Sequence, residues 1–105
     1  MTNKVYSVDE IRSIITPIAV EYGLSRVFLF GSYARGSANG ASDIDICVDA
    51  ANLKGMFALG GLYADLADAF DKNLDLITER SLDYSDDRSF VDNLRKEQVL
   101  LYENS

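Results

Sequence analysis

Apolar positions along the chain switch between a helical and a strand period, and each switch marks an element. Val8, Ile11, Ile14, Ile15, Ile18 and Tyr22 recur at helical spacing. Ser7 and Glu10 form a capping box at the start of this helix, and Gly23 offers the stop. Pro17 lies inside it, where it removes a backbone donor and crowds the preceding turn, so a kink is expected near Ser13 to Thr16. Val27 to Phe30 is a β-favouring apolar run that stops at Gly31, the pattern of a strand buried on both faces. From Asp43 to Val48 polar and apolar residues alternate. That period points Ile44, Ile46 and Val48 at the core and sets Asp43 and Asp45 together on the opposite face.

Leu59, Leu62, Tyr63, Leu66 and Phe70 return to helical spacing, although Gly60 and Gly61 weaken that helix by about 1 kcal/mol each relative to alanine. Leu74 to Thr78 predicts a third strand, in which Leu74, Leu76 and Ile77 are expected to bury the chain around Asp75. Phe90, Val91 and Leu94 predict a helix over Asp87 to Glu97, and Val99 to Tyr102 a closing strand. The element order gives an α/β (α+β) fold with a small mixed sheet flanked by helices, its strand order left open. With no repeat or linker-like stretch, residues 1–105 read as one domain.

Composition removes whole classes of chemistry. The sequence has no histidine, so no Ser-His, Cys-His or His-metal mechanism can be built from it. Carboxylates, hydroxyls or an oxygen-bound metal must do the work. Seventeen acidic against ten basic residues leave a formal charge of −7, the wrong sign for direct nucleic-acid binding. The single cysteine, Cys47, and the absence of a charged and then apolar leader point to the reducing cytoplasm. No apolar run approaches the roughly 20 residues that span a bilayer, so no membrane role is expected.

Between the first two strands runs Gly31-Ser32-Tyr33-Ala34-Arg35-Gly36-Ser37-Ala38-Asn39-Gly40-Ala41-Ser42, a long connection rich in small residues. Long connections inside a compact domain are usually functional. Glycine lets the backbone approach a ligand, and Ser32 can direct its hydroxyl at phosphate oxygens. A Walker A loop is excluded because Ser37 stands where the lysine belongs, and no G-x-G-x-x-G occurs. An EF-hand fails as well, since Cys47 and Val48 occupy positions that need an oxygen ligand and a glycine. What remains is Gly31-Ser32, the pair Asp43-x-Asp45 and a third aspartate, Asp75. Two carboxylates at i and i+2 can share one hard cation, and a third from a neighbouring strand completes an oxygen site for magnesium suited to phosphoryl-type transfer.

Phe30-Gly31-Ser32-Tyr33-Ala34-Arg35-Gly36, then Ser42-Asp43-Ile44-Asp45-Ile46, with Leu74-Asp75-Leu76-Ile77 downstream, resembles the minimal nucleotidyltransferases (MNT proteins) of the DNA polymerase β superfamily. The likeness covers nearly the whole chain. It implies a polymerase β-like nucleotidyltransferase fold, Mg2+ held by Asp43 and Asp45, and Asp75 as third carboxylate and base for the acceptor hydroxyl. Gly31 and Ser32 would hold the triphosphate of ATP. Many small members of that family are antitoxins that transfer AMP to a tyrosine of a partner HEPN ribonuclease toxin, so a hetero-oligomer with such a toxin is the implied partnership. Alternatives are a binding antitoxin that works by occlusion and a transferase acting on a small-molecule hydroxyl. Three crowded carboxylates favour an enzyme, because two such charges 4 Å apart repel by about 4 kcal/mol at an effective dielectric of 20, a cost without purpose unless a cation binds.

Each candidate also has a plain structural reading. Asp43 and Asp45 can be the polar start of a strand, and Asp75 an exposed edge residue. Arg35 divides evenly between contacting phosphate and pairing with a carboxylate. Tyr33 reads as a packing residue, Cys47 as a small buried hydrophobe, and Asp83 to Asp87 as a solvated helix entrance.

Overall fold

The computed structural model describes residues 2–53 and 55–104. The elements run α1 (Val8–Tyr22), β1 (Arg26–Phe30), α2 (Gly31–Arg35), β2 (Ile44–Asp49), α3 (Met56–Phe70), β3 (Leu74–Thr78), α4 (Glu79–Asp83), α5 (Arg88–Glu97) and β4 (Val99–Glu103). The strands form one mixed sheet in the order β3-β2-β1-β4. β1 pairs antiparallel with both β2 and β4, while β2 and β3 run parallel. No helix among the described residues is long and apolar enough to cross a membrane.

Local signals act as expected at the first helix. The Ser7 hydroxyl accepts from Glu10 N at 3.1 Å and the Glu10 carboxylate accepts from Ser7 N at 3.0 Å, which satisfies two orphan donors. Gly23 closes α1 in the left-handed region, at φ 66°. The helix runs on through Pro17, and immediately before it the Thr16 hydroxyl donates to the Arg12 carbonyl at 2.7 Å. Ile11, Ile15 and Ala19 form its buried stripe.

Alternation in β2 divides the interior in two. Ile44, Ile46 and Val48, with Val27 and Leu29 of β1, pack under α1 and α3 against Ile11, Ile15, Leu62, Leu66 and Phe70. Phe28, Phe30 and Cys47 point the other way and pack with Leu82 of α4 and Val91 of α5. Burial pushes the Cys47 thiol up to about 12, the behaviour of an inert buried hydrophobe.

Two expectations change. The connection after β1 is not wholly a loop, because its first five residues form α2, with Tyr33 buried in the main core and Gly36 capping the turn at φ 77°. Apolar docking of Tyr33 supplies the contact that so short a helix cannot generate alone. β3 lies at the sheet edge, and only Leu74 is buried there: Leu76 and Ile77 are half-buried and Asp75 is exposed. An apolar run alone does not tell an edge strand from a central one, which is why Asp75 takes the edge position of the plainer reading.

Candidate active site

Parallel pairing sets Asp45 directly opposite Asp75. The two residues are cross-strand neighbours on one face of the sheet. Desolvation first, then the Asp75 carboxyl and the charges of Asp75 and Asp43, push Asp45 up to about 6, against a partial lowering by Arg35. This is the one carboxylate so displaced among the described residues, and it marks where negative charge is concentrated beyond what the fold itself stabilises.

Gly31 sits at the junction of β1 and α2, where Phe30 pairs across to Asp45. Its φ is +70°, and a Cβ there would overlap Asp45 Oδ2 and stand 3.0 Å from Cγ. Glycine is required on both counts. Ser32 follows in the first turn of α2, where its carbonyl accepts from Ser37 N at 2.9 Å. Arg35 ends α2 and pairs with Glu97 of α5, Nη1 to Oε2 at 3.2 Å. Of its two readings, pairing with a carboxylate is the one observed.

Gly31, Arg35, Asp45 and Asp75 share one cleft of about 450 Å3, which Phe90, Leu94 and Glu97 of α5 also line. Asp43 and Ser32 are not among the residues that line it. Asp43 is exposed one residue before β2 and borders a shallower hollow with Ser42 and Lys72, so it reaches the pair through its charge on Asp45. Among the described residues no three acidic side chains are drawn into a ready-made metal cage. The donor set nonetheless suits a hard divalent cation: the ligands are all oxygen, and Asp45 bears a repulsion that a cation would relieve.

Sequence reasoning missed two contributors. Lys72, 6% exposed, donates to the Gly40 carbonyl at 2.8 Å and so braces the loop that delivers Asp43. That loop is also tied internally, by Asn39 N to Ser42 Oγ at 2.9 Å and Ala41 N to Asn39 Oδ1 at 2.8 Å. The only sequence signal for Lys72 is a cation between two apolar elements. Glu97 carried none, because its pairing with Arg35 bridges two distant segments. The plain readings of Tyr33 and the acidic stretch hold, Tyr33 being 4% exposed and Asp87 capping α5 by accepting from Phe90 N at 3.0 Å.

Comparison with known proteins supplies the context for this geometry. Residues 13–105 match the family model described as polymerase beta, nucleotidyltransferase. A relative in Methanocaldococcus jannaschii, named provisionally as a protein adenylyltransferase, is 36% identical over 76 residues, which is 72% of this chain and 82% of that one. A chain in the crystal structure of a toxin-antitoxin complex with AMP-PNP aligns at TM-score 0.68 and 27% identity, covering 90% of this chain and 74% of that one. A chain in the structure of the tri-AMPylated Shewanella oneidensis HEPN toxin with its MNT antitoxin aligns at TM-score 0.64 and 25% identity, covering 92% and 73%.

Proposed function

We propose one reaction from a plain premise: the chain belongs to the polymerase β nucleotidyltransferase family. As a nucleotidyltransferase, it moves AMP from ATP to a tyrosine hydroxyl of a HEPN-type ribonuclease toxin and thereby acts as the antitoxin of that pair. The observation that carries this reading is the Asp45–Asp75 pair, set beside Gly31 at the floor of the cleft, with Asp45 held near 6 by its neighbours. Support for the acceptor comes from the relatives, one of which has an AMPylated HEPN toxin in its complex. A net charge of −7 suits docking on a basic, RNA-cleaving partner. Consumption of ATP suits the cytoplasm.

In this reading each candidate residue takes a role. Asp43, Asp45 and Asp75 would hold magnesium, which when bound neutralises triphosphate charge and polarises the phosphoryl oxygens. Gly31 and Ser32 take the triphosphate, Gly31 by letting the chain turn at φ +70° against Asp45. Arg35 exchanges Glu97 for a phosphate oxygen when nucleotide enters. The tyrosine oxygen attacks the α-phosphorus, its proton passes to Asp75, and the bond to the bridging oxygen breaks so that pyrophosphate leaves with the electron pair. Asp75 is suited to this because it sits on the exposed edge strand, where a protein side chain can reach it.

The test is mass spectrometry of a co-expressed HEPN partner after incubation with magnesium and ATP. One or more added AMP groups on tyrosine is the expected result. A partner neutralised without any gain in mass would replace transfer by occlusion, and labelling of a small-molecule hydroxyl alone would replace the protein acceptor.

A further inference from the structure

On the sheet face that carries the carboxylates, β2 and β3 present two cross-strand rows, Asp45 beside Asp75 and then Cys47 beside Ile77. Leu82 of α4 and Val91 of α5 cover the second row, together with Leu94. The first row stays open. The cleft therefore has an ionic half around Gly31, Arg35 and the two aspartates, and an apolar half formed by Ile77, Phe90 and Leu94.

Phe90 is the residue of that apolar half which folding does not explain. Its neighbour Val91 is 3% exposed, whereas Phe90 is 51% exposed at the cleft wall. Phe90 and Leu94 stand four apart on α5 and so share a face, and Glu97, on the next turn, is tied to Arg35 of α2. The apolar strip and the arginine side of the cleft are thus one continuous wall. A ligand with a planar apolar ring at one end and several negative charges at the other matches both halves at once.

We propose that Phe90, backed by Ile77 and Leu94, is the stacking platform for the nucleobase of the bound nucleoside triphosphate. The inference rests on the nucleotidyl-transfer reading above. The base and the triphosphate belong to one molecule and need one continuous wall, which α5 and α2 provide. The protein acceptor is better served by the exposed edge of β3, on which Asp75 lies. Aromatic faces bind bases in this way because every base presents a π-face.

Calorimetric titration of wild type, Phe90→Ala and Phe90→Trp with magnesium-ATP and with magnesium-tripolyphosphate tests the assignment, since the second probe has the phosphates without the base. Phe90→Ala should weaken ATP binding about tenfold or more and leave tripolyphosphate within about twofold, and Phe90→Trp should restore ATP. Half-exposure of Phe90 predicts that both variants fold, which circular dichroism would verify. Unchanged ATP affinity in Phe90→Ala, or equal losses for both probes, would overturn the stacking role. So would a Phe90→Ala variant that binds ATP normally and loses its protein partner, because that residue would then face the acceptor. A wild-type protein that bound neither probe would be a different failure, that of the nucleotidyl-transfer reading itself.

Discussion

On one face of the sheet Val27, Leu29, Ile44, Ile46 and Val48 are each 0% exposed beneath α1 and α3, while the other face sets Phe28, Phe30 and Cys47 beside a pair of facing aspartates. Both faces come from alternate residues of the same strands. The first is close-packed and apolar, and its worth lies in area removed from water. The second leaves one row uncovered and holds Asp45 near 6, so it gives up stability by crowding negative charge. Register alone separates them, since a one-residue slip in β2 would turn Asp45 into the core. A stable face and a reactive face can therefore share a few strands, provided that the pairing is firmly fixed.

The largest effect expected from breaking the reactive face is on rate. Replacing Asp43 and Asp45 together by asparagine keeps size and hydrogen-bonding capacity but removes two charges, so AMP incorporation should fall about a thousandfold or more while the partner is still bound. Initial rates with labelled ATP, alongside a binding assay, measure both. The packed face should answer in stability instead. Leu29→Ala removes a fully buried side chain beneath α1 and should cost about 3 kcal/mol, read from the urea midpoint.

A smaller effect with the opposite sign sharpens the contrast. Asp45 titrates at about 6 in the folded chain against an ordinary 3.8, so between those values the folded state binds more protons and metal-free stability falls as pH rises. The penalty is complete above pH 6 and absent below 3.8. Asp45→Asn should therefore stabilise the metal-free protein at pH 8, by about 1 kcal/mol once the open cleft's screening is allowed for, and the gain should vanish near pH 4. Thermal melts at the two pH values would decide it. Smallest of all is Tyr33→Phe: the Tyr33 hydroxyl is buried without a partner among the described residues, so its removal should leave stability unchanged or raise it by less than about 1 kcal/mol. A clear loss of stability would mean that this hydroxyl has a partner.

The amino-acid sequence by itself determined what depends on neighbours along the chain. The capping box at Ser7 and Glu10, the parity that faces Ile44 away from Asp45, and the glycine at the end of β1 are local patterns, and local backbone geometry turns each into structure. Local pattern also singled out Gly31, Asp45 and Asp75, three residues that meet at the cleft. Tertiary structure alone decided that β3 is an edge strand lying parallel to β2, and hence that Asp75 stands opposite Asp45 and exposed. It also decided that Arg35 meets Glu97, that Lys72 braces the loop before Asp43, and that Phe90 remains at the cleft wall while Val91 is buried. The physical reason is range. A periodic pattern states which side of an element is apolar, but strand order and helix docking arise from contacts between distant segments, and their sum over the whole fold determines which apolar surface is covered and which is left for a ligand.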